Sequence, residues 1–429
     1  ALAEIMIEEG IKVSGSDRSN SRIVKKLQAS GANIYIGHDS KNIKDDIDLI
    51  VYTSAISDSN PELLRARELN MKIMDRAEFL GAVMKNYNHA ICVSGTHGKT
   101  TTTGMLSSVL IGTDLAPTIF LGGEMDSLGG NLLHGSYELL LTEACEYKRN
   151  FLKFNPTMEV VLNIDEDHLD YYKDLKDIES AFVEYAQKLP PDGHLIINEA
   201  HSHLFENLEC NVVTFGLDKG DYYAHNIKLI PEPSYTLMKG GKKITDIGLR
   251  VFGEHNILNS IAACAAGLSL GIEPETIAKG LSDFKGTHRR YEYKGSLNGA
   301  AVIDDYAHHP SEMKATLKTA ISYTEGKIIT VFQPHTFTRT IKLLDGFAEA
   351  LSMSDEAIIV DIYAAREINT GEIHSKDIVN KMKNYSKEAI YAKSFQDACD
   401  MVKSMAEKGD TIITMGAGNV DEIADMLLK

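Results

Sequence analysis

Short apolar runs recur along the chain, alternating with stretches whose apolar residues fall three or four positions apart. That is the rhythm of strand followed by helix, the mark of α/β architecture around largely parallel sheets. Leu2, Ile5 and Met6 are spaced as on a helix over 1–10 that stops at Gly10, and Ile11-Lys12-Val13 then reads as a strand. A helix over 21–29 and strands over 34–36 and 49–53 continue the pattern. A βαβ unit opens with a strand, so the leading helix gives the expectation that a strand and its Gly-rich turn precede residue 1. Residues 139–142 and 159–164 read as buried strands and 253–270 as a long helix rich in small residues. Strands at 300–303, 328–332, 357–361 and 411–415, with a helix reaching about residue 322, fill the last third. The chain divides into three α/β units: 1–89, 90–290 and 291–429.

The most distinctive junction is 90–104, AICVSGTHGKTTTTG. An apolar strand runs into Gly95-Thr96-His97-Gly98-Lys99-Thr100-Thr101, and a helical pattern follows. Such a turn converges backbone N–H groups and the positive end of a helix on one point, where a phosphate is stabilised. Lys99 adds a point charge for β- and γ-phosphates, and the Thr100 hydroxyl is placed for Mg²⁺. The strict phosphate-loop pattern has a glycine earlier in the loop, where this chain has Ser94 and then Gly95. An ordinary strand-to-helix turn is the plain alternative.

Composition narrows the classes. With 429 residues and 43% hydrophobic content the chain can bury several cores. No apolar run is long enough to span a membrane, and no charged-then-apolar leader opens the sequence. Five cysteines lie far apart without CxxC spacing, which suggests neither a zinc site nor a disulfide framework and fits a reduced, cytoplasmic setting. A net charge of −17 argues against a nucleic-acid partner. A polyphosphate ligand would then need local cations and Mg²⁺ to reverse the field at its site.

Other candidates sit where apolar strands end, the edge at which open α/β sheets place ligands. Glu143, closing the run 139–142, is a metal-ligand candidate, and His168 is a candidate for a second metal position. Asp165, Glu166 and Asp167 read better as a solvated loop at a helix start. Asp17 sits where a Rossmann-type unit holds a ribose, and a turn-forming aspartate is equally consistent. Asn256, in Gly253-Glu254-His255-Asn256, has the amide to read a purine edge, or is a helix cap. Arg289 and Arg290 are surface charge or, beside a glycine turn at a unit boundary, a clamp for a transferring phosphoryl group. In the third unit, Asp304 to Pro310 and Gln333 to Arg339 cluster polar groups after strands. His308 and His309, being adjacent, point apart and make a poor metal pair, so one of them is favoured as a hydrogen-bond donor to a carboxylate. Gly416 and Gly418 alone indicate a turn.

Taken in order, GTHGKTT, TEACE, NIDEDHLD, GEHNILN, FKGTHRR, DDYAHHP and FQPHTFTR resemble the Mur ligases of peptidoglycan synthesis, and the resemblance covers all three units. It implies a Rossmann-like N-terminal domain for a UDP-substrate, a central phosphate-loop ATPase domain and a Rossmann-like C-terminal domain for an amino acid. DDYAHHP and FQPHTFTR point to the branch that adds L-alanine to UDP-N-acetylmuramate through an acyl phosphate. The implied cofactors are ATP and Mg²⁺, at two sites. By resemblance, residues 95–101 and Lys99 hold the phosphates, Thr100 and Glu143 one Mg²⁺, and His168 the second. Asn256 meets adenine, Arg290 and Asp305 reach ATP from the seam and the third unit, and His308 and Arg339 hold the amino acid's carboxylate. Asp17 and Ser54 remain for the UDP moiety, and the implied assembly is a monomer or homodimer.

Two departures matter. Some members carry arginine where Thr336 stands, leaving Arg339 more nearly alone. Several relatives carry a carbamylated lysine after the DH histidine, absent here from Ser180 to Glu184, as expected of the alanine-adding branch. The neighbouring readings are a recycling ligase that attaches a whole tripeptide, a folylpolyglutamate-synthetase-like ligase, and a non-catalytic nucleotide sensor. The sensor reading sits badly with Glu143, His168 and Arg290 all being present.

Overall fold

The computed structural model describes residues 1–53, 56–168, 171–365 and 367–429, and the backbone alone of Arg22. Ser54 therefore lies outside the described residues. The first unit contains two parallel strand pairs, β1 (Ser14–Asp17) with β2 (Asn33–Ile36) and β3 (Ile50–Tyr52) with β4 (Ile73–Asp75). The strand expected at 11–13 begins instead at Ser14, because pairing starts opposite Asn33 and Ile11 is left exposed. The leading helix is Leu2–Glu8. It and helix Arg76–Met84 press Ile5, Leu80, Val83 and Met84 onto one face of the middle sheet.

That sheet has ten strands. Four carry the site: β5 (His89–Ser94), β6 (Thr118–Met125), β8 (Leu139–Glu143) and β9 (Met158–Val161), with β7 (Gly130–Leu133) as an antiparallel edge beside β6. β10 (His194–Asn198) and β11 (Asn211–Gly216) extend it in parallel, and β12 (Tyr222–Lys228), β13 (Ser234–Lys239) and β14 (Lys242–Gly248) finish as an antiparallel meander. The order is 14-13-12-11-10-9-5-8-6-7. β5 lies between β8 and β9 and is covered on both faces, which explains its continuous apolar run. Ile91 and Val93 enter one core, Ala90 and Cys92 the other, as the two-residue strand period requires. The strand expected over 159–164 stops at Val161, because Asn163 is committed to the loop after β5.

The last unit is a six-stranded sheet in the order 15-16-20-17-18-19, with a hydrophobic core on each face. β15 (Glu292–Leu297) is its antiparallel edge; β16 (Ala300–Asp305), β17 (Ile328–Phe332), β18 (Glu356–Ile359), β19 (Ala389–Tyr391) and β20 (Thr411–Met415) are parallel. The strand expected over 357–361 thus runs one residue earlier and ends at Ile359. The carboxyl ends of β16, β17 and β20 lead into Tyr306, Gln333 and Gly416, and this edge faces the middle unit.

Candidate active site

The loop between β5 and helix Lys99–Ile111 is shaped by two glycines with left-handed torsions, Gly95 (φ +130°) and Gly98 (φ +86°). A Cβ on Gly98 would lie 2.7 Å from Asn259 Oδ1, so the cradle requires glycine on both torsional and steric grounds. Asn163 clamps the loop from β9: its Oδ1 accepts from His97 N at 2.8 Å and its Nδ2 donates to His97 O at 3.0 Å. Thr96 Oγ1 accepts from Asp165 N at 2.9 Å. Ser94, the departure from the strict loop pattern, donates to Glu159 Oε1 at 3.0 Å in the core. Burial pushes that carboxyl well above its usual range, so it is a neutral acid tying β5 to β9.

Lys99 folds back over the loop. Its Nζ donates to Gly95 O at 2.5 Å and pairs with Glu146 Oε2 at 3.0 Å. Burial disfavours the ammonium, but Glu146 more than restores it, to about 12, so Lys99 stays charged. Glu146 also meets His168 Nε2 at 3.5 Å, which joins Lys99, Glu146 and His168 in one charged row. Thr100 Oγ1 donates to Glu143 Oε2 at 3.0 Å, and Glu143 Oε1 accepts from Gly122 N at 2.6 Å. The cradle fits a phosphate chain, and Thr100 with Glu143 offers the hard oxygens Mg²⁺ prefers. Among the described residues no three His, Cys, Asp or Glu side chains form a metal-binding group. A divalent ion here would complete its shell with phosphate oxygens and water.

The second half of the site is a cavity of about 260 Å³ lined by residues of both units, including Asp167, His168, Tyr306, His308, His335 and Arg339. Arg339 lies on the short helix Phe337–Lys342, whose first N–H groups are capped by Glu367. Its guanidinium stands 3.7 Å from Asp167 Oδ1 and 3.3 Å from His335 Nδ1.

The halves are bolted together. Glu312, on helix Pro310–Tyr323, is 3.3 Å from Nδ1 of the phosphate-loop His97, and its Oε2 accepts from the His308 and His309 N–H groups. His97 also faces Asp165 at 3.7 Å. Burial pulls His97 down, but Asp165 and Glu312 raise it to about 9, so this ring is a cation at neutral pH. Glu312 is held well below the carboxylate range despite its burial, by His308 and His97.

The paired arginines have different jobs. Arg289 donates to Asp304 at 3.0 Å and to the carbonyls of Gly418 and Gly416 at 2.8 and 2.7 Å, fastening the third unit to the linker. Arg290 lies 5.2 Å from the Tyr306 ring centroid, and its charge lowers both Asp305 and Glu312. Both Asp305 oxygens accept backbone N–H groups, from Ala307 at 2.7 Å and Tyr291 at 2.8 Å, while burial lifts its carboxyl to about 6. Asn256 is not the cap of its helix, a place taken by Gly253; its Nδ2 donates to Phe252 O at 2.7 Å. Asp17 ends β1 and accepts from Ser19 N at 2.9 Å, a turn contact away from the cavity. Sequence reasoning missed Glu146, Asn163, Asn259 and Glu312. TEACE and GEHNILN each held a second polar residue three positions after the one singled out, and that spacing was the available signal.

A phosphate cradle on one α/β unit, beside a cavity of mixed charge shared with a second unit across a seam, is the arrangement of a multidomain enzyme of phosphoryl-activated ligation. The chain belongs to the Mur ligase family: residues 1–88 match the Mur ligase family catalytic domain, 93–267 the middle domain and 289–418 the glutamate ligase domain. A UDP-N-acetylmuramate–L-alanine ligase of Clostridium novyi is 47% identical over all of this chain and 94% of its own. The crystal structure of UDP-N-acetylmuramate–alanine ligase from Thermotoga maritima has a TM-score of 0.84 at 30% identity, covering 100% of this chain and 95% of that one. A murein peptide ligase from Psychrobacter arcticus, at 22% identity and TM-score 0.73 over 100% and 95% of the two chains, shares the fold.

Proposed function

We propose that this chain joins L-alanine to the carboxylate of UDP-N-acetylmuramate, with cleavage of ATP to ADP and phosphate, as the first peptide-forming step of peptidoglycan precursor synthesis. Direct condensation of a carboxylate with an amine fails because oxide is a poor leaving group. Phosphorylation of the carboxylate gives an acyl phosphate, from which phosphate departs readily when the amine attacks. Two anions have to approach each other first, so the protein's task is positioning and charge neutralisation.

The division of labour follows the two half-sites. Gly95 to Thr101 take the phosphates, Lys99 neutralises the γ-phosphoryl, and Arg290 meets it from the linker. Mg²⁺, held by Thr100 and Glu143 and at a second position by His168, would supply further neutralisation of the transferring group. Asp305 serves by fixing the linker that carries Arg290. Asn256 is the proposed adenine contact, and Asp17 with Ser54 the UDP contacts. Arg339 takes the alanine carboxylate.

The observation that carries this reading is the seam itself, where His97 of the phosphate loop meets Glu312 and Asp167 meets Arg339. Among the described residues no helix is long and apolar enough to cross a membrane. Five unpaired cysteines and the need for ATP support a cytoplasmic setting. Phosphate release measured with ATP, Mg²⁺ and UDP-N-acetylmuramate is expected with L-alanine and not with the tripeptide. Release with tripeptide alone would move the assignment to the recycling activity.

A further inference from the structure

His308 projects into the shared cavity, and its hydrogen bonds fix its tautomer. Nδ1 lies 3.0 Å from the Tyr306 backbone carbonyl, which can only accept, so Nδ1 carries the hydrogen. Glu312 Oε2 stands on the same side of the ring, 3.4 Å from Nδ1. Burial pushes the ring below the usual histidine range although Glu312 and Asp167 pull the other way, so it is neutral at pH 7. Nε2 then presents a lone pair, and no group among the described residues bonds it. A lone pair repels a carboxylate and attracts an ammonium. The fixed cations that suit a carboxylate in this cavity are Arg339 and Lys342, both on its wall.

We propose that His308 serves the amine of the incoming amino acid rather than its carboxylate, with Nε2 accepting a proton from the ammonium and Glu312 orienting the ring. This rests on the ligase reading above and assigns the base within it. The ammonium gives one proton to Nε2, and the freed nitrogen lone pair forms the N–C bond at the acyl carbon. The tetrahedral oxyanion collapses and the acyl C–O bond breaks, its electron pair leaving with the phosphate. The second proton, from the new amide nitrogen, goes to that phosphate, which departs as HPO₄²⁻. The imidazolium so formed has Tyr306 O and Glu312 on its Nδ1 side, the arrangement that stabilises a histidine acting as base.

The test compares two amines and one trap. Hydroxylamine, unprotonated at neutral pH, captures the acyl phosphate as a hydroxamate without needing a base. L-Alaninamide has the amine but no carboxylate. In His308→Ala, kcat/KM for alanine should fall about 10²- to 10⁴-fold, with the same factor lost for alaninamide, while hydroxamate formation falls far less. A factor that shrinks toward one with alaninamide would place the ring on the carboxylate and overturn the proposal. Equal loss of hydroxamate would place it in carboxylate activation and overturn it too. Absence of hydroxamate from the wild-type protein would instead remove the acyl-phosphate reading on which the proposal stands. Should His308→Ala fail to fold, His308→Gln, which keeps a polar side chain but takes no proton, should give the same pattern.

Discussion

The phosphate cradle and the cavity proposed for the amino acid lie side by side yet are built on opposite principles. The cradle is mainly backbone: two glycine torsions, a helix N-terminus with no side-chain cap, and an asparagine holding the loop from the next strand. It comes almost whole from one stretch of chain. The cavity is made of side chains from segments as far apart as Tyr147 and Ala417, and its Arg339 is already paired with its Asp167, while the seam beside it is held by Glu312 and the loop's His97. The backbone of the cradle is shaped before ligand arrives, although Lys99 rests on Gly95 O and Glu146 and has to leave them to reach a phosphate. A cavity of paired charges has to exchange partners when substrate enters, which couples binding to the position of the third unit.

The largest break in this comparison comes from Lys99→Ala. It removes the cation proposed to neutralise the transferring phosphoryl and should lower kcat/KM on the order of 10³-fold, with the thermal unfolding transition retained. Near-normal turnover would contradict the role. Arg339→Ala should act on the other half alone. Losing one charged hydrogen bond, about 1.5–3 kcal/mol, should raise KM for alanine roughly 10- to 150-fold. That factor should vanish with alaninamide, the mirror image of the His308 result.

Gly98→Ala probes the cradle without touching charge. The left-handed torsion costs about 1–2 kcal/mol for a residue with a Cβ, and the new atom meets Asn259. Calorimetry should show nucleotide affinity falling while alanine-cavity residues stay in place.

The smallest effect is the pH response of the seam. His97 is raised in the folded protein to about 9, so its contribution is fully present below its unfolded value near 6.5. It is lost as pH rises through 9. Melting temperature should therefore decline between about pH 6.5 and 9, and His97→Asn should flatten that decline. An unchanged slope in the variant would show that the His97–Glu312 pair does not hold the units together.

How much was legible in the sequence follows the same divide. The cradle could be read directly, because a strand, two glycines, a lysine and a threonine are contiguous and each has one physical purpose. Glu143 was legible from its place at a strand end. Glu146, three positions on in the same motif, was marked only by that spacing; its partnership with Lys99 appears once the lysine folds back over the loop. Asn163 holds the loop from just beyond β9 and Glu312 acts across a unit boundary, so no local pattern marks either; Asn259, marked only by its spacing from Asn256, lies against Gly98 from another helix. Arg289 and Arg290 are indistinguishable as a dipeptide. Both guanidinia lie over the Tyr306 ring, but only Arg289, with its left-handed torsion, also reaches the Gly416 and Gly418 carbonyls. Strand ends moved by one to three residues where tertiary hydrogen bonds competed, as at Asn163.

Isotope transfer tests the joint action of the two halves most directly. UDP-N-acetylmuramate labelled with ¹⁸O in its carboxylate is turned over with ATP, Mg²⁺ and L-alanine, and the released phosphate is analysed by mass spectrometry. One ¹⁸O should appear in each phosphate, because the acyl C–O bond breaks after the carboxylate oxygen has taken the phosphoryl group. Unlabelled phosphate accompanied by normal product would contradict activation at the Lys99 cradle followed by attack from the cavity.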